Sequence, residues 1–97
     1  MILEIAKFEI KAGQEADFEA GYAKAVPLFE RARGYRSVEL RRSVEAPAFY
    51  WLIVGWETLE NHTVDFRESE DFQTWRTLVG GFFAGTPVVE HAAPLAR

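Results

Sequence analysis

Cysteine is absent from the 97 residues, which removes disulfide staples, thiol nucleophiles and thiolate-held metals or iron–sulfur clusters together. Histidine is scarce: His62 and His91 are the two present, too far apart in sequence to form a local metal motif. No apolar run reaches the roughly 18 residues that a membrane-spanning helix needs. Basic charge is in deficit, with 11 Lys and Arg against 15 Asp and Glu and a net charge of −4. Phosphate contacts require a cationic surplus, so nucleic acid is not expected as a partner. The first residues lack the basic-then-apolar pattern of a secretory signal, because Glu4, Lys7 and Glu9 interrupt them. The expectation is a cytoplasmic protein without a membrane partner.

What is present is apolar and aromatic. Hydrophobic residues make up 48% of the chain and aromatics 14%, which suits a folded single domain over residues 1–97. Such a domain buries roughly 60–65% of its unfolded surface. Arg31, Arg33, Arg36, Arg41 and Arg42 cluster, but Glu30, Glu39 and Glu45 lie among them. That interleaving reads as a solvated, ion-paired surface; the alternative reading is an entrance that attracts anionic ligands.

Ala6, Phe8 and Ile10 alternate with Lys7, Glu9 and Lys11, the period of a strand, while Leu3 and Ile5 add apolar character to its second face. After a turn at Ala12-Gly13-Gln14 the period changes. Phe18, Tyr22, Ala25 or Val26, and Phe29 recur as the stripe of an amphipathic helix. Pro27 predicts a kink or tightened last turns, and Gly34 a glycine terminus after Arg31 and Arg33. Tyr35 to Ser43 reads as a second strand. Glu45-Ala46-Pro47 makes a turn into a third strand, Ala48 to Trp56. From Phe49 to Trp56 that strand carries no charge, and a near-continuous apolar run implies burial on both faces. A chain this short has few elements to cover both, so a partner subunit is expected.

Thr58 is positioned to cap a short helix on which Leu59, His62 and Phe66 share a face. Ser69 caps another, with Phe72, Trp75, Leu78 or Val79, and Phe82 or Phe83 as its buried stripe. Gly80-Gly81 weakens that helix by about 1 kcal/mol per glycine. Thr86-Pro87 breaks it before a final strand at 88–91. The order is β-α-β-β-α-β: an α+β, ferredoxin-like fold with a four-stranded antiparallel sheet, strand three central, and helices on one face. The open sheet face then predicts a homodimer.

Among these residues His62 is the candidate general base, since histidine is the side chain matched to proton transfer near neutral pH. It precedes Phe66 by one helical turn, so both can face one cavity. Trp75 is a candidate wall for a flat aromatic ligand, and Phe83 and Tyr22 are candidates to line the same space. For each of them ordinary core packing is the competing role. His91 reads as an edge or interface residue.

Taken together, the residues resemble the antibiotic biosynthesis monooxygenase (ABM) family along essentially the whole chain. Ile10-Lys11-Ala12-Gly13-Gln14-Glu15, Gly34-Tyr35, Glu39-Leu40 and the Ser43-to-Pro47 hairpin are similar to its first half. Leu52-Ile53-Val54-Gly55-Trp56-Glu57 leading to Glu60-Asn61-His62 looks like its central signature. Ser69, Phe72, Trp75, Arg76, Gly85-Thr86-Pro87 and Val89 complete the pattern. The resemblance implies a dimeric α+β barrel with an apolar cavity between sheet and helices. It also implies a cofactor-independent monooxygenase that oxidises a small phenolic, quinol- or polyketide-like aromatic with O₂. The alternative is a non-catalytic small-molecule-binding or structural module of the same fold. Quinone-forming members use an Asn and a Trp one turn apart on the short second helix, where this chain has His62 and Phe66, or Asn61 as the asparagine if the register slips by one residue. Haem-degrading relatives place an Asn on the first strand and a His on the last helix. This chain has Lys7 or Phe8 and no such histidine, so haem is not an expected substrate.

Overall fold

A computed structural model describes Met1–Ala96. The first strand, β1 (Ile2–Glu9), leads through Gly13 into helix α1 (Glu15–Glu30); strands β2 (Tyr35–Arg42) and β3 (Phe49–Trp56) form a hairpin. A π-helical segment (Asn61–Phe66), helix α2 (Glu70–Val79), a 3₁₀ turn (Gly80–Phe82) and strand β4 (Val88–Ala92) follow. The sheet order is β2-β3-β1-β4 and every pairing is antiparallel. This is the ferredoxin-like split arrangement, with β3 and β1 in its centre.

Alternation along the central strands decides which face is covered. Glu4, Ala6 and Phe8 of β1, and Tyr50, Leu52, Val54 and Trp56 of β3, are buried beneath the helices with Ile10. Phe18, Ala25, Leu28 and Phe29 of α1, and Trp75 and Val79 of α2, close the core from above. The helices approach closely at Gly21, where a side-chain carbon would meet the Leu78 carbonyl oxygen at 2.7 Å. Among the described residues no layer covers the opposite sheet face. Leu3, Ile5, Phe49, Trp51 and Ile53 lie there half-exposed, with the Lys7 ammonium 5.0 Å from the Phe49 ring centre and 5.4 Å from that of Trp51.

Local expectations fare differently. Helix α1 runs through Pro27 and ends at Glu30. Ala32 N–H bonds the Phe29 carbonyl at three-residue spacing, so the last turn tightens, one of the two outcomes that Pro27 predicts. Gly34 does not terminate the helix. It lies beyond the helix end with φ +80°, and a side chain there would overlap the Asn61 amide. Arg31 is not a helix-terminal cation alone: its guanidinium grips both carboxylate oxygens of Asp71 at 2.8 and 2.7 Å, tying the end of α1 to the first turn of α2. The short helix is π-helical, with Arg67 N–H bonding the His62 carbonyl five residues back. Its wider turn keeps His62 and Phe66 buried but leaves Leu59 40% exposed.

Candidate functional site

The caps on either side of the π-helical segment fix its position. Thr58 N–H and hydroxyl both donate to Asn61 Oδ1 at 2.9 Å, and Asn61 N–H returns a bond to the Thr58 hydroxyl, a reciprocal N-terminal box. Asn61 also donates to Asp65 at 3.0 Å. Ser69 accepts from Phe72 N–H and caps α2. Held this way, the segment turns His62 inward over the sheet. Single π turns inside helical regions are rare, and where they occur they frequently lie at functional sites.

His62 is 3% exposed and its ring lies 5.7 Å, nearly parallel, from the ring of Trp56. Both of its nitrogens are engaged. Nε2 is 3.3 Å from Oε1 of Glu4, and Nδ1 is 2.7 Å from Nε2 of His91. Glu4, 5% exposed, also accepts at Oε1 from the Trp56 indole N–H at 3.0 Å. The chain of contacts Trp56–Glu4–His62–His91 therefore runs from the middle of the sheet to the exposed edge strand β4. Sheet register supports it, because Glu4 and His91 are direct partners across β1 and β4.

Burial governs the charge on this chain. Desolvation pushes the Glu4 carboxyl up to about 7, although the Trp56 hydrogen bond and the Arg67 charge pull it down. Desolvation likewise holds His62 down at about 4, with Arg67 and His91 adding to the effect. The cost of burying two charges exceeds their attraction. Between about pH 4 and 7 the carboxyl is therefore protonated and the imidazole neutral, and the 3.3 Å Glu4–His62 contact joins two uncharged groups.

This pair forms part of the wall of a cavity of about 370 Å³ between sheet and helices. Ala6, Phe8 and Leu52 supply its floor, Phe72, Trp75 and Phe83 its aromatic sides, and Arg67 and Arg76 two guanidinium groups. Phe8 and Phe83 stack at 4.8 Å. The volume and the mostly apolar lining with a few convergent polar groups are those of a small-molecule site.

Of the residues singled out from sequence, His62, Trp75 and Phe83 meet at this cavity. Phe66 does not: it is buried in the core, stacked 5.0 Å from Phe29, although like His62 it packs against Trp56. Tyr22 also lies elsewhere, beside a separate depression with Glu19, Leu40, Arg42 and Tyr50. His91, read as an edge residue, is on the edge strand and is also the contact of His62. Glu4, Trp56 and Arg67 were not singled out. One signal for Glu4 was available, since it falls in phase with Ala6, Phe8 and Ile10 and so places a carboxyl on the apolar face of β1. Among the described residues, no group of three or more His, Cys, Asp or Glu side chains is arranged to hold a metal ion.

The family model described as antibiotic biosynthesis monooxygenase matches residues 1–78. This chain belongs to the ABM family. It is 40% identical over 91 residues to the uncharacterized protein YczJ of Bacillus subtilis (strain 168), covering 94% of this chain and 96% of that one. The crystal structure of an ABM-family protein of Bordetella bronchiseptica superimposes with a TM-score of 0.95 at 57% identity, over 97% of this chain and 96% of that one. SnoaB, a cofactor-independent oxygenase from Streptomyces nogalater, shares the fold at TM-score 0.83 and 17% identity, over 99% and 94% of the two chains.

Proposed function

We propose that this ABM-family protein is a cofactor-independent monooxygenase acting on a small, electron-rich aromatic such as an anthrone or hydroquinone. The observation that carries the reading is the cavity of about 370 Å³ whose walls are aromatic and whose polar corner is the buried Glu4–His62 pair. The family membership and the SnoaB fold support it.

The chemistry asks little of the protein. Removing a proton from the substrate leaves an anion rich enough in electrons to reduce O₂. A carbon–oxygen bond forms, and the resulting peroxide loses water. For an anthrone, one atom of O₂ becomes the new carbonyl oxygen of the quinone, and the other leaves as water with the two methylene hydrogens. Glu4 and His62 supply the proton acceptor. Phe72, Trp75 and Phe83 orient a flat ring and keep the anion out of bulk water. Arg67 and Arg76 stabilise the developing negative charge on the substrate oxygen.

The same reading includes a homodimer formed through the uncovered sheet face. Trp51, Phe49 and Ile53 on that face, together with Val88, 58% exposed and paired with Lys7 on the same face, give it the apolar character of an interface.

Oxygen uptake with a panel of anthrones and hydroquinones tests the function, with quinone detected by absorbance. Uptake above the protein-free rate, lost in the Trp75→Ala and His62→Ala proteins, is the expected result. A rate equal to the protein-free rate across the panel overturns it and leaves a binding module.

A further inference from the structure

His62 cannot be the group that first meets the substrate proton while both ring nitrogens are engaged, one by Glu4 at 3.3 Å and the other by His91 at 2.7 Å. Glu4 can. Its Oε1 meets both Trp56 and His62, and among the described residues Oε2 has no hydrogen-bond partner. Among the described residues no side-chain polar atom is both fully enclosed and unpartnered, so Oε2 is not sealed in, and the cavity is the space that Glu4 lines. At the other end of the chain His91 is exposed on β4. A carboxyl facing the cavity, a buried imidazole and an exposed imidazole thus stand in contact, in that order.

We propose that Glu4, His62 and His91 form a proton wire in which Glu4 is the catalytic base and His91 delivers the proton to solvent. The inference rests on the oxidation reading above for its substrate, and on geometry alone for the wire. In the transfer, the substrate O–H or C–H bond breaks, its electron pair stays on the substrate, and the proton forms a bond to Oε2. As it does, the proton on Oε1 passes to Nε2 of His62, and the proton on Nδ1 of His62 passes to Nε2 of His91. His91 then loses a proton from Nδ1 to water. One proton enters, one leaves, and the two interior groups keep their count. The charged groups that border the path are Arg67, which follows the π-helical segment, and Arg76 on α2 across the cavity. Trp56 on β3 contributes a neutral donor.

Two measurements on the full chain test this independently. In the first, carboxyl ¹³C of Glu4 and imidazole ¹⁵N of both histidines are followed by NMR against pH. Movement of the His91 signals in the same step as Glu4, abolished in His62→Gln, is expected; His91 signals that ignore the Glu4 step overturn the wire. In the second, oxygen uptake is compared among variants. Glu4→Gln is expected to lose at least about 100-fold, the low end for a positioned proton-transfer group. His91→Ala is expected to lose about 10-fold in dilute buffer and to recover with added imidazole, which a packing defect would not do. Full activity of Glu4→Gln, or of His91→Ala without imidazole, contradicts the proposal. Coupled titration without uptake by the native protein supports the wire and sinks the oxidation, while uptake without coupled titration does the reverse.

Discussion

Glu4 and His62 have opposite effects on stability, and together they nearly cancel. A carboxyl raised from its ordinary 4.5 to about 7 binds its proton more tightly in the folded chain. Its contribution is present in full below pH 4.5 and is lost as pH rises toward 7. An imidazole lowered from 6.5 to about 4 does the opposite: its contribution is present above pH 6.5 and is lost as pH falls. Within the pair the same single proton is held across the window in both folded and unfolded chains, on Glu4 in one and on the histidine in the other. The native protein is therefore expected to show a flat stability profile from pH 4.5 to 7 by urea unfolding. His62→Asn removes the compensating partner, and its stability should fall by roughly 3 kcal/mol as pH rises across that window. A profile as flat as that of the native protein would contradict the burial account of Glu4. Arg67 lowers both groups, so Arg67→Gln should raise the titration midpoints of Glu4 and His62 together. Midpoints that stay in place would show that its charge does not reach them.

At the scale of elements, the caps and the close approaches carry the site. Ser69→Ala removes the acceptor for Phe72 N–H and should cost about 1 kcal/mol by thermal or urea unfolding. A larger loss of cavity binding than of stability would show that the start of α2 also sets the position of Trp75. The strands, both main helices, the two caps at Thr58 and Ser69 and the breaks at Gly13 and Pro87 were legible because each rests on local periodicity or on a single residue's backbone preference. The π turn was not. An α-helical spacing of 62 and 66 puts both on one face, and nothing in Asn61–Phe66 announces a wider turn. The expectation that Phe66 lines the cavity fails because sharing a face with His62 does not fix which part of the interior the ring meets, and it stacks on Phe29. Tyr22 failed for a related reason, since a helix stripe tells which residues face the sheet but not which part of the sheet they meet. His91 could be placed on a strand, but its partnership with His62 depends on the pairing of β4 beside β1, a contact between distant parts of the chain.

For the whole molecule, the uncovered sheet face and the filled helix face divide the labour: among the described residues one side has no layer over it, the other holds a cavity. If the proposed dimer forms through the uncovered face, Trp51→Glu or Ile53→Glu should convert a dimer to a monomer in sedimentation at micromolar concentration while far-ultraviolet circular dichroism is unchanged. A native protein that sediments as a monomer would refute the interface. The cavity lies on the other side of the sheet, so monomeric variants also reveal whether the site is complete within one chain. The central claim is that this ABM-family chain oxidises an electron-rich aromatic with O₂ using its own side chains, and simultaneous measurement of O₂ consumed and quinone formed from an anthrone tests it most directly. The account predicts one O₂ per quinone, at a rate well above the protein-free reaction and lost in Glu4→Gln; quinone formation no faster than without protein would contradict it.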